Sequence, residues 1–139
     1  MPTPDPKNPR RLLHSTGTRY EFQFGYSRAI RHGSVVKVSG TAGLTESDQV
    51  VSDDVVDQAR AAMERVKEAL EELGCSLDDV VFTRVYVKDV RDIESVAIVH
   101  GEFFRDIRPA TTIVKIAEFI DPKILVEIEA EAVYEGEKK

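Results

Sequence analysis

The chain holds one cysteine, Cys75, among 139 residues, which excludes an internal disulfide and any zinc cage built on paired cysteines. A reducing, cytoplasmic setting is the expectation that follows. No apolar run approaches about 18 residues, so a transmembrane helix is not expected. The first eleven residues are polar and proline-rich, with no apolar stretch to read as a secretory signal. Positive charge is also short: 19 Lys+Arg against 25 Asp+Glu leave a formal net charge of −6. That balance argues against nucleic acid and anionic membranes as partners. His14, His32 and His100 match no metal-ligand spacing, and no phosphate loop, GxSxG elbow or HExxH is present, so no metal is expected.

What is present fits one domain that buries roughly two-thirds of its unfolded surface. The charge is unevenly spread. Residues 1–37 carry seven Lys/Arg against Asp5 and Glu21, whereas residues 38–139 carry twelve against twenty-three acids. Residues 1–10 alternate proline with polar groups and read as a flexible N-terminal arm, leaving 11–139 as the single domain.

Hydrophobic spacing predicts the elements. Arg11 to His14 reads as a short edge strand, and Tyr26 to Arg31 with Val35 to Gly40 as a hairpin about His32-Gly33. Apolar residues from Val55 to Leu73 recur at three- and four-residue steps, which predicts a helix over 53–73 capped by Ser52 or Asp53 and stopped at Gly74. Val80 to Lys88 reads as a strand, with Val81, Thr83, Val85 and Val87 on one face and Phe82, Arg84 and Tyr86 on the other. A second helix follows Asp92 and ends at Arg108-Pro109, and strands cover Ala110 to Ala117 and Ile124 to Tyr134. The order implies an α+β domain: a mixed sheet of about six strands with two helices on one face. Two helices leave the other face of such a sheet bare, and Phe82 and Tyr86 stand on it. Self-association is therefore expected.

His100 lies on the apolar line of the second helix and reads as a structural histidine. Cys75 has Asp78 and Asp79 nearby rather than the positive surroundings of a nucleophilic thiolate. The unusual constellation is Glu127, Glu129 and Glu131, alternating on one face of the last strand. They form either a solvated face or a row from which one carboxylate enters a cleft and orients a water. Periodicity alone does not choose between the two.

The landmarks GYSRAI (25–30), VSG (38–40), QAR (58–60), LDDVV (77–81), VKD (87–89), EFF (102–104), PAT (109–111) and VEIEA (126–130) occur in an order that resembles the YjgF/RidA family. These are the reactive intermediate deaminases, also called endoribonuclease L-PSP. The resemblance implies a chorismate-mutase-like α+β fold and a homotrimer in which three sheets close a central barrel. It places ligand clefts at subunit interfaces, with no cofactor. It further implies hydrolysis of reactive imines and enamines to 2-keto acids and ammonia. An arginine grips the substrate carboxylate, a glutamate positions water, and a tyrosine lines the cleft.

Carried onto this chain, the catalytic glutamate matches Glu127 and the tyrosine matches Tyr26. The arginine position matches Thr111, which lacks charge and reach, so the chain looks like a divergent subgroup without the usual clamp. Thr111, Ser39 and Gly40 are the expected ligand contacts. Arg28 lies two residues after Tyr26 and is a candidate replacement cation. Arg84 is a second candidate that also reads as an interface residue. Three functions stand open: an imine/enamine deaminase, a non-catalytic trimeric module binding a small anionic metabolite, and the endoribonuclease or translation inhibitor of the family name. The acidic body and the lack of an acid–base pair aimed at phosphate weigh against the third.

Overall fold

In a computed structural model describing residues 2–137, the elements run β1 (Thr3–Asp5), β2 (Asn8–His14), α1 (Arg19–Phe24), β3 (Ala29–His32), β4 (Val35–Ala42), α2 (Val55–Glu72), β5 (Val80–Val87), α3 (Ile93–Phe104), β6 (Ala110–Lys115) and β7 (Val126–Val133). The strands form one sheet in the order β1-β2-β3-β4-β7-β5-β6. Among the described residues only the β5–β6 pair is parallel, and α3 is the crossover that a parallel pair requires.

Helix α2 organises the core. Its stripe of Ala59, Ala62, Met63, Val66, Ala69 and Leu70 is fully buried against the inward residues of β4 and β7 and against α3. Each large side chain in that stripe contributes roughly 1.5–3 kcal/mol by leaving water. Asp54, rather than Ser52 or Asp53, is the N-cap, its carboxylate accepting from the Val56 amide at 3.3 Å. Ser52 instead accepts from the Asp54 amide and donates to Asp57, bracing the same turn. Gln58 is wholly buried; its amide donates to the Ser52 and Lys123 carbonyls and accepts from the Leu125 amide. That buried amide ties the start of α2 to the approach to β7.

On β7, Val126, Ile128, Ala130 and Ala132 point to the helices and the three glutamates point away, as their alternation requires. The fold class is the expected one, with one strand and one short helix more. Two β-bulges alter facing. On β5 the register shifts between Val80 and Phe82, so Val80 is buried while Val81, expected inward, is 49% exposed. On β4 the register against β7 shifts between Val38 and Thr41, which sets Gly40 beside Glu127.

The N-terminal segment differs from the expected arm: β1 and β2 form a hairpin that extends the sheet past β3. Its prolines are tolerated because the hairpin lies at the edge of the sheet. Pro4 is on the outermost strand, and Pro9 precedes the β2–β3 pairing, which begins at Arg11. The hairpin also carries an Asp5–Arg11 ion pair at 3.3 Å.

Candidate functional site

The β7 carboxylates occupy equivalent positions two residues apart, yet their surroundings separate them. Glu131 pairs with Lys37 at 3.4 Å. Glu129 accepts from Arg84 at 3.0 Å and from the Tyr86 hydroxyl at 2.6 Å. Glu127 has no hydrogen-bond or salt-bridge partner among the described residues. Burial pushes its carboxyl above the ordinary range, and the charge of Glu129 adds to this, while Arg28 and Arg65 oppose it. A carboxylate left unpaired beside two cations is free for a ligand or a water. Gly40 makes room for it: a Cβ there would stand 2.7 Å from Glu127 Oε1.

Arg28 precedes β3 and is more than nine-tenths buried. Its Nη2 donates to the Gly40 carbonyl at 2.8 Å, and its Nε is buried without a partner. The guanidinium carbon lies 5.9 Å from the centre of the Tyr26 ring. Arg65 reaches the same place from α2, its Nη1 donating to the Ala42 carbonyl at 2.7 Å. Burial and the neighbouring Arg28 charge draw Arg65 below its usual pKa, though a guanidinium remains a cation at neutral pH. Pairing of β3 with β4 ends at Ala29 opposite Val38. Beyond it, the two arginines occupy main-chain carbonyls of β4.

These groups line one cavity of about 710 Å³, with Tyr26, Arg28, Gly40, Arg65 and Glu127 at its wall. Exposed Phe24, Ile120 and Asp48 stand at its rim, where Tyr20 stacks on Phe24 at 5.5 Å. Of the residues singled out from sequence, Tyr26, Arg28, Gly40 and Glu127 come together. Ser39 does not line the cavity; its hydroxyl donates to the Ser27 carbonyl and its amide to the Arg28 carbonyl, anchoring the segment that presents Arg28. Thr111 is on β6, the far edge strand, within hydrogen-bond distance of Thr83 (2.8 Å) and His100 (3.4 Å). The His100 Nε2 also meets Thr83 at 2.8 Å and its ring packs on Phe104, consistent with a structural histidine. Arg84 is taken up by Glu129 rather than by the cavity.

Sequence reasoning missed Arg65, which sits beside the apolar stripe of α2. No local signal marked it, because Glu68 three residues on supplies the carboxylate of an ordinary helix-face pair. It missed helix α1 as well. Thr18-Arg19-Tyr20-Glu21 has the capping-box spacing, and Gly25 ends the helix at φ 73°. Among the described residues no cluster of His, Cys, Asp and Glu could hold a metal ion, and no helix is long and apolar enough to cross a membrane.

Comparison with known proteins identifies the family and the fold. The sequence profile of the family described as Endoribonuclease L-PSP matches residues 17–134. The crystal structure of Rv2704 from Mycobacterium tuberculosis, a member of the YjgF/YER057c/UK114 family, superposes with a TM-score of 0.82 at 42% identity, covering 89% of this chain and 99% of that one. The 2-iminobutanoate/2-iminopropanoate deaminase of Salmonella typhimurium is 36% identical over 112 residues, 78% of this chain and 86% of the relative. The 3-aminoacrylate deaminase RutC of Acinetobacter baylyi is 34% identical over 104 residues, 74% and 82% of the two chains. By sequence profile, fold and relatives together, the chain belongs to the YjgF/RutC, or endoribonuclease L-PSP, family.

Proposed function

We propose that the protein is a cytoplasmic, RidA-like homotrimer whose cavity takes a small anionic metabolite and hydrolyses a reactive imine or enamine to a keto acid and ammonia. The observation that carries this reading is the unpartnered Glu127 carboxylate facing Arg28 across one cavity. In the proposed reaction, Arg28 binds the substrate carboxylate and Tyr26 covers it. Glu127 accepts a proton from water as the oxygen adds to the imine carbon. Glu127 returns that proton to the nitrogen of the tetrahedral carbinolamine. The C–N bond then breaks as the hydroxyl becomes the keto C=O and its proton passes to the departing nitrogen, which leaves as ammonia. One water is consumed for each ammonia released, and no redox partner is needed. Relatives named as deaminases of imino acids and of 3-aminoacrylate support the substrate class. Trimerisation would cover the exposed rim, where Ile120 is 73% and Phe24 59% exposed, together with the half-buried sheet face that carries Phe82. Thr111 of a neighbouring copy would then close the cleft as an uncharged contact.

A second reading, a binding module without chemistry, is favoured by one observation: Thr111 stands where the family arginine is expected. Generating 2-aminoacrylate in situ and following loss of imine absorbance separates the two. Acceleration by the wild type, lost in Glu127→Gln, is the expected outcome. If the wild type gives no acceleration but Thr111→Arg does, the binding module is the correct reading. RNA binding that persists at raised salt would instead restore the ribonuclease reading. Light scattering that gives a monomer would remove the trimer from the proposal.

A further inference from the structure

The cavity holds one cation more than the proposed carboxylate clamp needs. We infer that Arg28 and Arg65 together select ligands with two carboxylates, so that the preferred substrate is the imine or enamine of a small keto dicarboxylate. This inference rests on the reading of the cavity as the anion site, and it adds Arg65 as a residue that sets specificity.

Three observations carry it. First, both guanidiniums line the same cavity, and neither is within 4 Å of a carboxylate oxygen among the described residues. By contrast Arg11, Arg60, Arg84 and Arg91 each have an acidic partner. Secondly, each is held by one main-chain bond, Arg28 to Gly40 and Arg65 to Ala42. These carbonyls are two residues apart on β4, roughly 6–7 Å by strand rise. Anchored at separate points and repelling each other, the two forks present separate sets of donors. Each accommodates its own carboxylate. Thirdly, Glu127 lies over Gly40, the residue that anchors Arg28. A dicarboxylate that spans the two arginines therefore carries its central carbons past Glu127, where the proposed chemistry needs them. Two ligand carboxylates balance the charge of the two guanidiniums. The acidic side chains at the rim, Asp48 and Glu118, are exposed and screened by solvent.

The test compares binding of 2-oxoglutarate and pyruvate to the intact protein by titration calorimetry, in the wild type, Arg65→Gln and Arg65→Lys, with thermal melts of each. The wild type is expected to bind 2-oxoglutarate about tenfold or more tightly than pyruvate, the worth of one further charge-assisted pair. Arg65→Gln, which removes the charge, is expected to lose that preference, with 2-oxoglutarate affinity falling about tenfold more than pyruvate affinity. Arg65→Lys should retain part of it. Equal affinities in the wild type, or equal losses for both acids in Arg65→Gln, would overturn the inference while leaving the proposed imine chemistry standing. If neither acid binds the wild type, the anion site itself is wrong and both proposals fail.

Discussion

Glu21 and Glu127 are two carboxylates in sheltered positions, and the fold treats them in opposite ways. Glu21, 3% exposed in helix α1, accepts from the hydroxyls of Ser15 (2.8 Å), Thr16 (2.9 Å) and Thr18 (2.6 Å) and from the Thr16 and Thr18 amides. Its burial alone would raise its pKa, but these donors hold it at about 2. Glu127 meets no donor, so burial prevails and its pKa rises. A buried charge saturated with hydrogen bonds belongs to the structure; one left without them is available to a ligand. Accessibility does not explain the difference, since Glu21 is the less exposed of the two yet keeps the lower pKa; the count of donors does.

The comparison is most exposed at Glu127. Replacement by Gln is expected to cost roughly 100-fold to 10,000-fold in the rate of imine hydrolysis, the range for a positioned proton carrier. The melting temperature should hold or rise, because the folded state disfavours the ionised form that is removed. A lowered melting temperature would make Glu127 structural, like Glu21. Glu21→Gln should behave oppositely, with activity retained per folded molecule and stability at pH 7 reduced by up to about 3 kcal/mol. The folded pKa lies below the ordinary value of 4.5, so that contribution is present above pH 4.5 and is lost as pH falls toward about 2. Wild type and Glu21→Gln should therefore converge in acid, and denaturant melts between pH 7 and pH 3 would show it.

Gly40→Ala places a methyl against Glu127 Oε1 and should reduce the hydrolysis rate by about tenfold through misplacement, with a smaller change in melting. Glu129→Gln is the smallest perturbation. Its Arg84 pair is partly exposed, so its contribution to stability should be under about 1 kcal/mol, and hydrolysis should stay within about twofold of wild type. A large loss of activity there would break the distinction drawn among the β7 carboxylates.

Much of this was legible along the chain. The stripe of α2, the alternation of β7 and the hairpin about Gly33 obey local periods that any packed solution must respect. Helix α1 was readable only through its caps, since six residues are too few to show a period. Pro4 and Pro9 resembled disorder because composition does not reveal which strand is outermost. Tyr26, Arg28, Gly40 and Glu127 were named from sequence, but Arg65 was not. Its helix position looks like any wet face until β4 passes beneath it.

The sequence by itself determined the α+β class, the buried faces of α2 and β7 and the family, because these depend on residue type and spacing. It also placed three glutamates on one face of β7. Only the tertiary structure decided which of the three stands free. That depended on a bulge in β4, on a glycine where a Cβ would collide, and on arginines from segments 37 residues apart (Arg28 and Arg65) converging on it. Charge and solvation at a point are set by everything that packs around it, and those neighbours are distant in the chain.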